Sequence, residues 1–240
     1  MNLCDLHTHT VASGHAYSSL TENIRYAKKK GLKVMGTTDH SMAMPGVETN
    51  MIFHNYGAIP RMVDDVMVLC GAEANIIDYE GALDVNLDLR LIEYAIVSLH
   101  KHCIQPGTIE ENTQALIQAT KHPKVKIIGH PDDDLYPVDY ETLVNFAVEN
   151  HYFVEVNNSS LREGGPRKGA RKNLTRMLTI GKEKGLRVIM SSDAHIDLSI
   201  GEISLAEALL EELSYPKEWI LNYVREPKDI LAALGIKEEK

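Results

Sequence analysis

Short apolar runs alternate along this chain with segments whose apolar residues recur every three or four positions. Runs at residues 32–37, 66–69, 94–99, 125–128, 153–156 and 186–190, with a further one just before Asp5, predict seven strands. Between them lie helical patterns. Ser18 or Ser19 caps a helix through Lys30, with Leu20, Ile24 and Ala27 on one face and Gly31 at its end. Thr108 or a neighbour caps a second through Lys121, with Glu110 and Glu111 in the first turn. Asp139 caps a third to about Glu149, and a fourth runs to Lys184 after a Gly- and Arg/Lys-rich loop at 162–172. Two more, near 202–213 and 227–234, close the pattern, with Pro227 at a first helical position. Residues 41–61, rich in Met, Asn, Gly and Pro, read as a long loop with at most a short helix.

Single strand-helix steps mean a parallel sheet, and mostly apolar strands suit one covered on both faces. Seven such steps predict an α/β fold of the distorted seven-stranded (β/α) barrel, TIM-barrel-like type, with an open doubly wound sheet as the alternative. No linker-like stretch divides the sequence, so residues 1–240 are expected to form a single domain. One local echo stands out: Gly31-Leu32-Lys33-Val34-Met35 before Thr38-Asp39-His40 resembles Gly185-Leu186-Arg187-Val188-Ile189 before Ser192-Asp193-Ala194-His195. The other units do not share it, which argues against a solenoid.

Composition narrows the function. No apolar stretch approaches the length of a membrane span, and the first residues lack the basic start and apolar core of a secretory signal, so a cytoplasmic protein is expected. Cys4, Cys70 and Cys103 stand far apart, which suits small buried hydrophobes rather than disulfides or a zinc knuckle. A net charge of −9 disfavours a surface for extended nucleic acid but permits a short anion held by metal ions. The eleven histidines are the unusual feature.

On a strand His7 and His9 share a face, their α-carbons ~6.6 Å apart, and form half of a tetrahedral zinc site. His7 with His9, His40, Glu73, His100, His130, and Asp193 with His195 all fall at C-terminal ends of different predicted strands, and His15 lies in the first loop. That end of a barrel carries the active site, because its loops converge there. A lone histidine is most simply a core or surface residue; repetition at six strand ends points to metal. Surface roles are expected for His54, His122 and His151, while His102 is close enough to His100 to orient a ligand. Asp5 and Asp39 could orient imidazoles, and Asp5 fits a buried N-terminal network equally well. The run Asp132-Asp133-Asp134 reads as a solvated loop, with an influence on substrate preference as the alternative. In Gly164-Gly165-Pro166-Arg167-Lys168-Gly169, glycines around a basic pair allow close approach to an anion, so Arg167 and Lys168 are candidate substrate-phosphate binders.

The motifs Asp5-Leu6-His7-Thr8-His9-Thr10, His15-Ala16-Tyr17-Ser18, Thr38-Asp39-His40, Gly71-Ala72-Glu73-Ala74-Asn75, Asn157-Asn158-Ser159-Ser160, Arg167-Lys168-Gly169 and Ser192-Asp193-Ala194-His195 together resemble the PHP superfamily (polymerase and histidinol phosphatase), and within it the YcdX-like phosphatases. The resemblance implies a distorted seven-stranded barrel holding three metal ions, usually zinc, with manganese or iron as alternatives. It implies that His7, His9, Glu73 and Asp193 hold one ion, that Glu73 bridges to a second held by His100 and His130, and that His15, His40 and His195 hold the third. All nine positions carry suitable residues, although Lys101-His102 and the acidic run after His130 depart from the pattern.

The sequence shows no Cys-x5-Arg loop and no nucleophile elbow, so no side-chain nucleophile is expected and metal-bound water would attack. The expected activity is a phosphatase cleaving phosphomonoesters of a small metabolite. The alternative is a nuclease or phosphodiesterase acting on nucleic-acid ends, which the acidic charge disfavours.

Overall fold

The computed structural model describes residues 2–238. Strands β1 (Cys4–Asp5), β2 (Val34–Thr37), β3 (Met62–Val63), β4 (Val66–Asn75), β5 (Tyr94–Ser98), β6 (Val125–Ile128), β7 (Phe153–Asn157) and β8 (Val188–Ser191) alternate with helices α1 (Leu20–Lys29), α2 (Met51–His54), α3 (Ile109–Ala119), α4 (Tyr140–Glu149), α5 (Ala170–Lys184), α6 (Ser204–Glu212) and α7 (Pro227–Leu234). Seven strands pair in parallel in the order β1-β2-β4-β5-β6-β7-β8, as the single strand-helix steps predict. The remaining gap is spanned by one bridge, Thr8 to Ala194, with the His9 N–H donating to the Ala194 carbonyl at 2.9 Å. The sheet is therefore a nearly closed, distorted barrel.

The helix starts follow the local chemistry. Ser19 and Glu22 form a capping box on α1, and Thr108 and Glu111 form one on α3. The short β3, absent from the sequence pattern, pairs antiparallel with β4 through the turn Asp64-Asp65. β4 is longer than its apolar run implies, because it continues through Gly71 and carries Glu73 inside the sheet rather than beyond it.

One apolar cluster fills the layer between the barrel and α3 to α6. A second, including Leu6, Leu69, Tyr94, Ile96, Ile127 and Ile189, fills the barrel and is plugged by Ile230, Leu231 and Leu234 of α7. Tyr94 lies across the interior, with its hydroxyl donating to the Leu6 carbonyl at 2.7 Å. A β-carbon on Gly36 would lie 1.8 Å from that hydroxyl, so the close approach requires glycine. Packing thus seals one end, and the polar chemistry is left at the other. Among the described residues no helix is long and apolar enough to cross a membrane.

Candidate metal centre

The strand ends and the first loop, which carries His15, deliver seven imidazoles and two carboxylates to one place. Glu73 is at its middle and fully buried: Oε1 lies 2.9 Å from His130 Nε2 and 3.3 Å from His100 Nε2. Its Oε2 lies 3.0 Å from His40 Nδ1, 3.2 Å from His7 Nε2 and 3.3 Å from His9 Nε2. Asp193 Oδ1 lies 3.3 Å from His9 Nε2 and 3.6 Å from His7 Nε2. The His9 ring packs against those of His40 and His195, with centroids 4.4 and 4.3 Å away. His15, the most exposed of the set, reaches His195 across 2.9 Å between their Nε2 atoms.

The outward nitrogens determine what the inward ones offer. His7 Nδ1 meets Glu155 Oε1 at 2.6 Å, His9 Nδ1 meets Ser13 Oγ at 3.0 Å, and His100 Nδ1 meets Asn75 Oδ1 at 2.8 Å. His15 and His195 donate Nδ1–H to the backbone carbonyls of Ser13 and Asp193. An imidazole that donates from Nδ1 presents Nε2 inward, where its lone pair can bind a metal. His7 Nε2, His9 Nε2, His40 Nδ1 and Glu73 Oε2 are buried without a hydrogen-bond partner although they face one another. Buried polar atoms are rarely left so, and two bare Nε2 atoms facing each other at 2.9 Å, as in His15 and His195, repel unless a cation lies between them. The donor set fits bound metal. Four overlapping groups could each hold an ion: His7 with His9 and Asp193, His7 with Glu73 and His130, His40 with Glu73 and His100, and His9 with His40 and His195.

Without metal, burial and charge pull these groups apart. Burial opposes a proton on His7, but Glu155, Glu73 and Asp193 outweigh it and raise its pKa well above the usual value. Burial likewise opposes charge on His9, and the adjacent carboxylates of Asp193 and Glu73 push it up to about 9. Burial lowers His15, His40 and His130, and takes His195 down to about 4. Burial would raise Glu73 and Asp193, yet the imidazoles, His7 foremost, hold both well below the carboxylate range.

Two of these residues have left-handed backbones, His130 at φ 25° and Asp193 at φ 53°. Such conformations are uncommon for residues other than glycine, and here each is held by neighbours. The His130 N–H donates to Glu155 Oε2 at 2.9 Å, and Asp193 Oδ2 accepts from Asn157 Nδ2 and Arg167 Nη2, each at 3.1 Å.

Glu155, on the one strand to which the sequence reading gives no functional residue, therefore sets the ring of one candidate ligand and the backbone of another. Its signal is legible afterwards: a charged residue inside Phe153-Val154-Glu155-Val156, buried at 0% exposure. Ser13 carries no such signal, yet it links Asp39 to His9, accepting from the ring and donating to Asp39 Oδ1 at 2.7 Å. Asp39 therefore reaches an imidazole only through a hydroxyl. Asp5 touches none; it accepts from the Ser192 and Gly201 N–H groups and from the Ser192 hydroxyl, which is the buried-network role.

A cavity of about 660 Å³ opens over the centre. Arg167 lines it at 11% side-chain exposure, with Nη1 donating to Ser160 Oγ at 2.9 Å. Lys168 is exposed; its N–H donates to Asp133 Oδ1 at 3.2 Å and its carbonyl accepts from the Asp134 N–H at 2.9 Å, while its side chain is not part of the cavity wall. His102 is an exposed residue of the wall, while His54 and His151 are exposed on the surface and His122 is partly buried beside Asp88. Within the acidic run Asp134 is exposed and Asp133 partly so, but Asp132 corrects the expectation of a solvated loop. Asp132 is wholly buried, accepts from Ser160 Oγ at 3.2 Å, and burial pushes its pKa up to about 7.

Barrel, carboxylate-imidazole cluster and open cavity define a candidate metal-binding active site. Residues 5–213 match the PHP domain family. A protein of Clostridium acetobutylicum named as a probable phosphatase is 42% identical over 92% of this chain and 90% of its own length. One of Caldanaerobacter subterraneus, named likewise, is 43% identical over 91% and 86%. Histidinol phosphate phosphatase from Lactococcus lactis, solved with zinc, L-histidinol and phosphate, superposes with a TM-score of 0.63 over 90% of this chain and 95% of that one, at 14% identity. A chain of an archaeal ribonuclease P solved with mature tRNA superposes at 0.56 over 96% and 87%, at 15% identity. Identities this low speak for the fold alone. The chain belongs to the PHP domain family. Its fold, site and relatives make it a phosphatase, a phosphoric ester hydrolase with a metal cofactor.

Proposed function

We propose that this chain is one metallohydrolase domain that cleaves phosphomonoesters of a small metabolite at a site for three metal ions, zinc foremost and manganese or iron as alternatives. The observation that carries the reading is the set of nine side chains meeting below the cavity, more donors than one tetrahedral ion can use. In this reading His7, His9, Glu73 and Asp193 hold one ion, Glu73 with His100 and His130 a second, and His15, His40 and His195 the third. Metal ions in such a site lower the pKa of bound water towards ~7 and neutralise phosphoryl oxygens.

The protein's own groups do the remainder. Glu155, Ser13 and Asn75 fix the rings of His7, His9 and His100. Arg167 has its guanidinium on the cavity wall and holds the Asp193 oxygen that points away from His7 and His9, so it can meet a phosphate while orienting Asp193. Lys168, exposed on the same loop, would serve an incoming anion from outside the wall.

A panel of phosphomonoesters, phosphodiesters and single-stranded oligonucleotides, read alongside elemental analysis, tests this. Metal-dependent turnover of monoesters first, with more than one ion per chain, is the expected result. Preferential oligonucleotide cleavage, or one ion or fewer after incubation with excess zinc and manganese, would overturn it.

Arg167→Ala should lower kcat/KM by about 10- to 100-fold, the loss of one charge-assisted contact of ~1.5–3 kcal/mol. Because Arg167 also holds Asp193, metal content should fall partly, whereas spacing alone would leave it intact. Unchanged kinetics would remove Arg167 from the site.

A further inference from the structure

Outside the nine side chains, one carboxylate gathers more hydrogen bonds than its surroundings explain. After β4 the chain makes an excursion pinned by the Ile76 to Leu83 bridge, which sets Asp84 opposite Asn75, the last residue of that strand. Asp84 Oδ1 accepts from the Asn75 N–H at 3.0 Å and from the Ser41 hydroxyl. Asp84 Oδ2 accepts from Asn75 Nδ2 at 2.8 Å and from the Ala43 N–H at 2.7 Å. Ser41 directly follows His40, and its carbonyl also accepts from Asn75 Nδ2 at 3.1 Å.

Asn75 is therefore held in one sense. Its NH₂ faces two acceptors, so its oxygen must face His100 Nδ1, 2.8 Å away. An oxygen there accepts Nδ1–H and leaves Nε2, 3.3 Å from Glu73 Oε1, as the bare nitrogen. A reversed amide would present a donor and force the opposite tautomer.

We infer that half-buried Asp84 is a positioning residue that sets the His100 tautomer through Asn75 and at the same time anchors the backbone beyond His40, preparing His40, Glu73 and His100 for metal. The inference rests on the reading that these three hold an ion. Asp84 touches neither ion nor substrate. Its effect arises because four donors converge on its two oxygens, which a neutral amide of the same shape cannot all accept.

Asp84→Asn tests it. In zinc-loaded, ¹⁵N-histidine-labelled protein, the wild type should show His100 carrying a proton on Nδ1 and none on Nε2, assigned by the resonance missing from His100→Gln. Asp84→Asn should reverse the pair and weaken metal retention against a chelator about 10- to 100-fold at one site, with the thermal midpoint nearly kept. The exchanged pair Asn75→Asp with Asp84→Asn restores an acceptor towards His100 and should restore the tautomer. If Asp84→Asn does not fold, Asn75→Ala carries the same measurement, with a mixed tautomer and the same weakening expected. A His100 that keeps its wild-type tautomer in these variants, or a wild type bare at Nδ1, would overturn the inference. A wild type that binds no metal would instead sink the proposed function, leaving the tautomer result to decide this inference by itself.

Discussion

Glu73→Gln is expected to abolish nearly all turnover, lowering kcat/KM by at least about a thousandfold, or ~4 kcal/mol of transition-state stabilisation. Five imidazoles stand within 3.3 Å of its two oxygens, and no other side chain of the cluster faces so many. Glutamine keeps the shape but replaces one oxygen by an NH₂ and removes a buried negative charge. It can accept on one side only, so the His40 side and the His130 side cannot both be served. Metal analysis should show more than one ion lost, with the barrel intact by circular dichroism, since Glu73 contributes to the site and not to the apolar clusters. A variant with a full metal complement and activity within tenfold of wild type would refute the central role of Glu73.

In the proposed three-ion arrangement, chelation and pH should separate the ions by different rules. Brief chelation should release the ion of His15, His40 and His195 first, with most of the activity, because His15 is exposed and His195 has 31% of its side chain exposed, whereas His7, His9 and Glu73 are sealed. Spacing alone suggests that protons would displace that same ion first, as three ordinary imidazoles titrate near ~6.5. The structure reverses this. Burial lowers all three, His195 to about 4, so protons compete with metal less there than at His7 and His9, whose pKa values are raised. Metal uptake by the inner group near pH 7.5 should therefore expel about two protons, measurable by calorimetry in buffers of different ionisation enthalpy.

The histidines of the metal-free centre should contribute most to stability near pH ~6.5. The protons on His7 and His9 stabilise the chain fully below that value, and this is lost as pH rises through the His9 value of about 9. Below ~6.5 the unfolded chain takes up protons that folded His40, His130 and His195 refuse, so stability falls again towards pH 4. Proton release near zero, or loss of every ion in one step with unfolding, would contradict this account.

The sequence by itself determined a parallel sheet covered by helices and the end at which its chemistry sits, while closure into a barrel is seen in the Thr8 to Ala194 bridge. Apolar runs in single alternation with helical patterns specify parallel strands, and a strand's end is a position in the sequence, so His40, His100, His130 and Asp193 are readable from where each run stops. The caps at Ser19, Thr108 and Asp139 are legible because capping acts over three residues. What only the tertiary structure decided is how these residues are held. Glu155 meets His7 from 148 positions away, Asp193 is gripped by Asn157 and Arg167, and Asp84 reaches His100 through Asn75. The echoing Asp39 and Asp193 show the limit: their flanking strands lie on either side of β1, yet the left-handed turn at Asp193 aims it at the imidazoles while Asp39 faces Thr10 and Ser13. Pattern fixes which face and which end a residue occupies, because strand and helix periods are local. Hydrogen-bond partners, burial and proton affinity depend on what other strands bring across the barrel, and no local period records that.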